Sequence, residues 1–169
     1  MTRPRAIPSH RKVLSTRALA AVIRRLRRRG RRVVFANGCF DLLHVGHVTL
    51  LERAKRLGDV LVVGINSDRS VRALKGRHRP IMSQRDRARL LAALASVDYV
   101  TVFDAPTPLA LIRLVQPDIL VKGADWSAGE IVGRQIVALR RGGRVVRIPL
   151  VNGRSTTGLL DRIGRALRT

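Results

Sequence analysis

Short runs of consecutive apolar residues alternate along the chain with stretches in which apolar residues recur every three or four positions. Continuous runs are typical of strands buried on both faces, whereas the wider spacing indicates amphipathic helices. The predicted strands cover residues 33–36, 60–65, 99–103, 119–121 and 144–148. Because strands and helices alternate, we predict an α/β fold: a Rossmann-like three-layer α/β/α arrangement with about five parallel strands.

Capping residues and glycines set the predicted helix ends. Ser15 or Thr16 can cap a first helix, and Gly30 stands where a C-terminal glycine is expected. Further helices are expected to begin near His47, Ser83, Thr107, residue 129 and Ser155. The helix after Ser83 is expected to bury a stripe formed by Leu90, Leu91, Leu94 and Val97.

The length of 169 residues and a hydrophobic content of 46% suit a single folded domain. We expect this domain over residues 15–169, with a basic helix over 15–30 and the core over 31–169. Residues 1–14 contain two prolines and no apolar period, which predicts a flexible basic arm. Residues 69–82 are rich in charge and poor in apolar spacing, which predicts a mobile loop.

The net charge of +23 would suit a nucleic acid or another anionic partner. Aromatic residues make up only 3% of the chain, so stacking platforms for bases are missing. We therefore interpret the charge as a compositional bias that steers phosphate substrates, and we do not expect a nucleic-acid partner. No apolar run approaches the roughly 18 residues of a membrane span, so no membrane association is expected. The lone Cys39 suits a reducing, cytoplasmic location.

The stretch that joins the first predicted strand to the next helix has the features of an anion site. Free N–H groups and the positive end of the helix dipole face whatever lies over this loop, and Gly46 carries no side chain to block it. His44 and His47 are three residues apart, so both imidazoles can face one phosphate chain. The alternatives are two capping or core histidines, or a metal pair. A zinc site would require three or four ligands, and no third histidine or second cysteine stands nearby.

Three further polar clusters are expected near the same edge of the sheet. Residues 66–68 follow the second strand, and residues 122–126 follow the fourth. Residues 155–157, Ser-Thr-Thr, begin the last helix and offer hydroxyl and N–H groups to an anion. Ser67 or Asp68 could equally cap a helix, and Trp126 could equally pack in the core.

Residues 37–41 (Asn-Gly-Cys-Phe-Asp) and 44–47 (His-Val-Gly-His) resemble the signature of the HxGH nucleotidyltransferases. Residues 63–68, 74–81, 120–126 and 153–157 resemble, in the same order, motifs of one branch, the D-glycero-β-D-manno-heptose 1-phosphate adenylyltransferases. The resemblance implies transfer of AMP from ATP, with Mg²⁺, to a sugar 1-phosphate. We also expect a separate heptose-phosphate kinase in the same pathway, because this chain has no room for one, and a homodimer or higher homo-oligomer.

The motifs and the resemblance together assign roles to individual residues. The catalytic residues would be His44, His47, Lys75 and Lys122. The nucleotide-binding residues would be Asn37, Gly38, Cys39, Phe40, His44, Gly46, His47, Lys122, Gly123, Asp125, Ser155, Thr156 and Thr157. The acceptor-binding residues would be Asn66, Asp68, Arg79, Arg87 and Trp126, although a solvated helix face suits Arg87 better. Asp41 is expected to hold the loop, and no residue is assigned to a resident metal.

Two other functions are compatible with parts of the sequence. A cytidylyltransferase acting on glycerol 3-phosphate usually has Gly-Thr-Phe-Asp in the first loop, where residues 38–41 read Gly-Cys-Phe-Asp, and an arginine where Leu150 stands. Residues 124–126 and Arg154 depart from the usual heptose pattern, which leaves the sugar open. A non-catalytic nucleic-acid-binding module on the same fold is the third possibility, against which the unbroken motif spacing counts.

Overall fold

The computed structural model describes residues 7–127, 129–149, 151 and 153–168. The strands are β1 (Val33–Gly38), β2 (Val60–Asn66), β3 (Tyr99–Phe103), β4 (Ile119–Gly123) and β5 (Arg144–Ile148). Every pairing between them is parallel, and the sheet has the order β3-β2-β1-β4-β5. The predicted α/β fold with five parallel strands is therefore confirmed.

The helices within the described residues cover both faces of this sheet. They are α1 (Ser9–Lys12), α2 (Thr16–Arg28), α3 (Val45–Lys55), α4 (Asp68–Lys75), α5 (Gln84–Ala93), α6 (Leu109–Val115), α7 (Arg134–Ala138) and α8 (Thr156–Ala166). One core cluster joins α3 and α5 to the sheet, and a second joins α2, α6 and α7 to the opposite face. None of these helices has both the length and the apolar character needed to cross a membrane.

Alternate residues of β1 supply the two cores. Val34 and Ala36 belong to the cluster with α3 and α5, whereas Val33 and Phe35 belong to the cluster with α2 and α6. This alternation is the two-residue period of a strand, and burial on both faces explains why the strand is apolar throughout. The three-layer arrangement thus follows directly from the continuous apolar runs of the sequence.

The strand order places a crevice between the carboxyl ends of β1 and β4. From β1 the chain crosses to β2 on one side, and it later returns to add β4 on the other side. Ala36 pairs with Val63 of β2 and with Val121 of β4, so the residues after these three lie on one edge. Ligands of open parallel sheets bind at such a switch point. The candidate site is built there.

Residues 7–14 are not a flexible arm, and that prediction is wrong for this part of the chain. Lys12 Nζ donates to the carbonyl oxygens of Leu94 and Val97 at 3.3 and 2.8 Å. The backbone N–H of Leu14 donates to Val100 O at 2.8 Å, so the segment covers the outer edge of β3. An edge strand leaves backbone groups unpaired, and this pairing satisfies one of them. Residues 1–6 lie outside the described residues.

Several helix ends match the sequence, and others do not. Ser15, Ser83 and Ser155 each accept a hydrogen bond from a backbone N–H three residues later, as expected of N-caps. Thr107 does not cap α6: the helix begins at Leu109 after Pro108, without a side-chain cap. The helix predicted for 129–140 is shorter, since α7 spans Arg134–Ala138.

Two predictions about residues 69–97 also need correction. The predicted mobile loop over residues 69–82 contains most of α4, which Ser67 caps by accepting from the N–H of Ser70. Of the predicted stripe, Leu91 and Val97 are buried and Leu94 packs against the core, whereas Leu90 is 41% exposed. The helix ends at Ala93, before Leu94 and Val97, and its buried face also includes Arg87, Ala88 and Ala92.

Candidate active site

The loop between β1 and α3 has an uncommon backbone conformation. Phe40 and Leu42 have φ angles of 49° and 53°, in the left-handed region that residues other than glycine rarely adopt. The ring of Phe40 is buried and lies 5.2 Å from the His47 ring, centroid to centroid. Its packing in the core offsets the local strain. Phe40 can therefore offer a ligand only its backbone, because its side chain belongs to the core.

Asp41 holds this loop against two other segments. Its buried carboxylate accepts hydrogen bonds from the Arg79 Nε at 2.7 Å and from the backbone N–H groups of Ile81 and Met82 at 2.8 and 3.0 Å. Burial alone would raise the pKa of Asp41, but these three donors outweigh it, so the pKa lies below its ordinary value. The carbonyl oxygen of Asp41 accepts from Thr156 Oγ1 at 2.7 Å. The structural role expected of Asp41 is confirmed.

His44 and His47 lie together at the start of α3. The two rings stack with their centroids 3.8 Å apart and their planes 25° apart. His44 is the N-cap of the helix, and its Nδ1 accepts the backbone N–H of Gly46 at 3.1 Å. Because Nδ1 accepts, the proton of the neutral ring must sit on Nε2, which makes Nε2 the donor. One histidine thus combines the capping role and a free donor, two roles that the sequence left as alternatives.

Both histidines are held in the neutral form near pH 7. Burial lowers the pKa of His44. Burial, and then the neighbouring His44, lower the pKa of His47 to about 4, although Asp41 opposes this shift. Nδ1 of His47 is buried and has no hydrogen-bond partner among the described residues. The pair can therefore donate N–H groups to an anion, but it does not bring two positive charges to the site.

The positive charge at this edge comes in part from Lys122, near the end of β4. Lys122 is 8% exposed, and burial lowers its pKa to about 8, while Asp125 and Cys39 partly oppose the shift. Its Nζ lies 4.8 Å from the ring centroid of Trp126, a cation–π contact that compensates for lost hydration. Trp126 is 44% exposed, so the interpretation of Trp126 as a core residue is wrong.

Arg87 of α5 is fully buried, which excludes the solvated-face interpretation. Its guanidinium donates to the carbonyl oxygens of Cys39, Asn66 and Met82 at 2.6, 2.9 and 3.1 Å. It also donates to Asp68 Oδ1 at 2.7 Å. A buried charge requires such a complete set of partners. Arg87 therefore fixes the ends of β1 and β2 relative to each other, and its geometry is that of a positioning residue.

Several of the residues predicted to contact the acceptor already form hydrogen bonds or ion pairs within the protein. Asn66 Nδ2 donates to Ser70 Oγ at 2.9 Å, and Asp68 pairs with Arg87. The Arg79 Nε is taken by Asp41. The contact between Asn66 and Ser70 was not predicted, although a polar residue four positions later, in the first turn of the helix that follows β2, was a usable signal.

The start of α8 closes the site from another side. A side chain at Gly46 would bring a Cβ within 3.2 Å of the Arg154 carbonyl oxygen and 2.9 Å of His44 Cε1, so the two segments approach closely only because residue 46 is glycine. Ser155 Oγ caps the helix and Thr156 Oγ1 binds Asp41, which leaves Thr157 as the exposed hydroxyl. The predicted triple hydroxyl cradle is thus reduced to one hydroxyl and the N–H groups of the first turn.

Lys75 ends α4 and is exposed to solvent. Burial raises the pKa of the Cys39 thiol, and the cations Lys75, Arg87 and Arg79 oppose that shift. Lys75 therefore lies near enough to affect the pKa of Cys39, which belongs to the loop that carries the histidines. The structure brings most of the predicted site residues to one edge of the sheet: Asn37, Gly38, Cys39, Phe40, His44, Gly46, His47, Asn66, Asp68, Lys75, Arg79, Lys122, Gly123, Asp125, Trp126, Ser155, Thr156 and Thr157.

Among the described residues, no group of three or more His, Cys, Asp or Glu side chains could hold a metal ion. Asp41, the buried carboxylate closest in sequence to the histidines, is saturated with donors. Mg²⁺ commonly binds through substrate phosphates and water with few protein ligands. This donor set is therefore compatible with an ion that arrives on a nucleotide, and not with a dedicated protein cage.

Residues 35–148 match the cytidylyltransferase-like family. The chain is 55% identical over 152 residues to the bifunctional protein HldE of Syntrophotalea carbinolica, an alignment that covers 90% of this chain and 31% of that protein. It is 57% identical over 141 residues to HldE of Magnetococcus marinus, covering 83% of this chain and 29% of that protein. The chain thus spans less than a third of the length of these curated relatives.

Solved structures agree with this assignment. The lipopolysaccharide core biosynthesis protein from Thermoplasma volcanium superimposes with a TM-score of 0.63 at 32% identity, covering 73% of this chain and 100% of the other. A pantoate-β-alanine ligase from Francisella tularensis shares the fold, with a TM-score of 0.59 at 16% identity over 93% of this chain and 79% of the other. The family match extends over more than half of the chain and includes residues 35–38 of β1, the histidine pair and Lys122. The chain belongs to the cytidylyltransferase-like family of nucleotidyltransferases.

Proposed function

We propose that the chain transfers the AMP group of ATP to D-glycero-β-D-manno-heptose 1-phosphate, which gives ADP-heptose and pyrophosphate. The observation that carries the reaction type is the stacked pair His44 and His47 at the start of α3, beside the carboxyl ends of β1 and β4. The choice of sugar rests on the ordered set of motifs between residues 37 and 157, which the departures at residues 124–126 and Arg154 do not break, and on the high identity to HldE proteins.

The reaction needs positioning and charge stabilisation more than covalent catalysis. An oxygen of the acceptor phosphate attacks the α-phosphorus of ATP, the bond from that phosphorus to the bridging oxygen breaks, and pyrophosphate leaves with the bonding electrons. His44 would donate a hydrogen bond from Nε2 to the phosphate chain. The neighbouring ring of His47 would donate a second hydrogen bond to the same chain. Neutral donors of this kind stabilise charge that develops on oxygen without repelling the nearby cations.

Lys122 and Lys75 would neutralise the charge that accumulates on the leaving pyrophosphate. Lys122 is held in place under Trp126, so it is preorganised. Lys75 is exposed at the end of α4 and can move toward a bound nucleotide. A fixed and a mobile lysine together would allow ATP to enter before the positive charge closes around it.

The nucleotide would bind the backbone of residues 37–40 and the first turns of α3 and α8. Gly38, Gly46 and Gly123 lack side chains that would hinder an approaching phosphate, and Asn37 Oδ1 is a buried acceptor without a partner among the described residues. Asp125, Ser155, Thr156 and Thr157 complete this proposed nucleotide set. Mg²⁺ would enter with ATP, where it supplies further neutralisation of the phosphate charge.

The acceptor would bind on the β2 side of the histidines. A cavity of about 540 Å³ lies at the carboxyl ends of β2 and β3, with Asp68, Gln84 and Asp104 among its lining residues. Such groups suit the hydroxyls of a sugar. Neither histidine of the pair lines this cavity, so the acceptor would have to extend from it toward the histidines. Arg79 would face the acceptor phosphate with the guanidinium nitrogens that Asp41 leaves available, while Asn66 and Arg87 would keep this wall in shape.

We also propose that a kinase supplies the sugar 1-phosphate, since the acceptor must already carry phosphate.

We further propose that the protein works in the cytoplasm as a homodimer or higher homo-oligomer. Size-exclusion chromatography coupled to light scattering would measure the mass of the particle. A monomer at every concentration examined would contradict the oligomer.

The substrate pair can be tested by measuring pyrophosphate release with Mg²⁺, ATP or CTP, and a panel of acceptors. The panel includes the β- and α-anomers of D-glycero-D-manno-heptose 1-phosphate, other sugar 1-phosphates and glycerol 3-phosphate. We expect ATP with the β-anomer, and a preference over CTP of roughly 10³-fold or more if buried donors and acceptors read the base. A preference for CTP with glycerol 3-phosphate would assign the chain to the cytidylyltransferases. No pyrophosphate from any pair would contradict the proposed reaction.

A further inference from the structure

The opposite edge of the sheet, where the parallel strands begin, carries a concentration of positive charge. A cavity of about 510 Å³ lies there, close to the first residues of β1, β4 and β5. We call it the amino-edge arginine pocket, after the six arginines that line it: Arg27, Arg31, Arg32, Arg140, Arg141 and Arg144. Since β1 has six residues, this pocket and the histidines are separated by roughly 15–20 Å.

Two of these arginines are fixed and form the wall of the pocket. Arg27 donates to the carbonyl oxygens of Val115 and Gln116 at 2.5 and 3.2 Å, where α6 ends. Arg140 donates to Asp118 Oδ1 at 3.0 Å. These contacts hold two guanidinium groups beside each other. Burial lowers the pKa of Arg27, and electrostatic repulsion by Arg140 lowers it further. Like charges in this arrangement repel, and an anion between them would relieve the repulsion.

The other arginines are available to a ligand. Arg32, Arg141 and Arg144 are exposed, and their side chains form no hydrogen bond within the described residues, although Asp59 lies near enough to Arg32 to interact with its charge. Arg31 forms only a long, exposed ion pair of 3.4 Å with Asp59. Asp118, the one carboxylate in the lining, is occupied by Arg140 and by the backbone N–H of Val33. The positive charge of the pocket is therefore largely uncompensated.

We propose that the amino-edge arginine pocket binds a small anion with two or more linked phosphate groups. Guanidinium groups match phosphate oxygens in a bidentate geometry, and several converging arginines favour a multiply charged ligand over a single carboxylate. The lining contains no aromatic residue, so a base would find no stacking partner and the phosphate chain itself would be recognised. A cavity of this volume suits a compact ligand, whereas a nucleic-acid backbone is usually tracked by an extended groove. This proposal is independent of the reaction assigned to the histidine edge.

The probe for this site is inorganic tripolyphosphate, titrated calorimetrically into the full chain at about 0.15 M salt, where weak surface attraction is screened. Arg141→Ala with Arg144→Ala should weaken one binding event by roughly tenfold or more. The matched control is Arg162→Ala with Arg165→Ala, two exposed arginines of α8 outside the pocket, which should leave that event unchanged. His44→Ala with His47→Ala should also retain it, which separates it from binding at the histidine edge.

Circular dichroism and thermal unfolding establish whether each variant is folded. If the variant with both Arg141→Ala and Arg144→Ala does not fold, Arg32→Ala provides a second test of binding in the pocket. Equal weakening in the α8 control would show that net charge alone attracts the anion, and would overturn the proposal. Binding that only the histidine variants abolish would also overturn it. A single-stranded oligonucleotide that binds the pocket more tightly than tripolyphosphate would assign the surface to nucleic acid instead.

Discussion

The Nδ1 atom of His44 accepts a hydrogen bond from the backbone N–H of Gly46 at 3.1 Å, so a candidate catalytic residue also caps the helix that carries it. This contact satisfies one of the backbone N–H groups in the first turn of α3 that have no partner within the helix. It also fixes the ring with Nε2 as the remaining donor. Stability and catalysis therefore depend on different nitrogens of one side chain, and substitution can separate them.

Replacing His44 tests these two roles. His44→Ala should lower the free energy of unfolding by about 1 kcal/mol, because the cap is lost. His44→Asn should retain most of this stability, since asparagine is a good N-cap. Both variants should reduce turnover by about 10²- to 10³-fold, because neither supplies the Nε2 donor. Urea unfolding and pyrophosphate release measure the two quantities. A His44→Asn enzyme with near-normal turnover would remove this imidazole from the mechanism.

The depressed pKa of His47 should make the fold sensitive to mild acid. In the folded protein the pKa of His47 is about 4, so the neutral ring is favoured. In the unfolded chain the same side chain takes up a proton near pH 6.5. The unfolded state therefore binds more protons between these values, and stability is lost as the pH falls from about 6.5 to about 4. The full loss should be roughly 2 kcal/mol, after allowance for partial exposure to water.

Urea unfolding at several pH values between 4 and 7 can measure this loss. His47→Gln should flatten the pH dependence, because the titrating group is gone. His78→Gln is the control for a histidine substitution as such, because His78 is exposed and lies outside α3. Identical slopes for the parent protein and His47→Gln would show that another group is responsible.

Arg87 is predicted to be one of the most important side chains for stability. Arg87→Met would leave the carbonyl oxygens of Cys39, Asn66 and Met82 without their buried donor. We expect a loss of about 3–5 kcal/mol. Arg87→Lys should recover only part of this, since a single ammonium group cannot reproduce the planar fork.

The matched control for Arg87 lies on the same helix. Arg89 is exposed, so Arg89→Met should change the free energy of unfolding by less than about 0.5 kcal/mol. If Arg87→Met does not fold, the comparison of Arg87→Lys with Arg89→Lys still measures the effect. Equal stabilities of that pair would contradict the role assigned to Arg87.

The fold and the main loop could be predicted from the sequence because they depend on local patterns. All five strands were predicted from short segments rich in β-branched and other apolar residues, and β3 and β5 begin and end at the predicted residues. The histidine spacing placed two imidazoles on one side of a helix start. These signals need only the periods of strands and helices and the anion affinity of a helix N-terminus.

Burial of charge could not be predicted in the same way. Arg87 stands in a polar stretch of α5, and its inward position follows from the carbonyl oxygens of β1 and β2, which are distant in sequence. Lys12 similarly finds its acceptors at Leu94 and Val97. In a chain with 34 lysines and arginines, no local pattern distinguishes these two from the solvated ones. Only tertiary contacts make that distinction.

Lys122 should impose an upper pH limit on ATP capture. Its pKa is about 8 because burial disfavours the charged ammonium more than Asp125 and Cys39 favour it. Below this pH the side chain is positive, and above it the charge is lost. The kcat/KM for ATP, which reports the free enzyme, should therefore fall about tenfold per pH unit well above 8. The kcat should fall only at higher pH, because bound phosphates raise the pKa.

Lys122→Arg should remove this limit, since a guanidinium stays charged throughout the accessible range. The comparison uses the shape of the pH profile and not the absolute rate, and the profile of the variant should be flat from pH 7 to about 9.5. Cys39 is a second titratable group beside Lys122, although burial raises the pKa of its thiol above its ordinary value. Cys39→Ser should therefore keep the decline near pH 8 if Lys122 causes it. A decline that survives Lys122→Arg and disappears in Cys39→Ser would transfer the effect to the thiol.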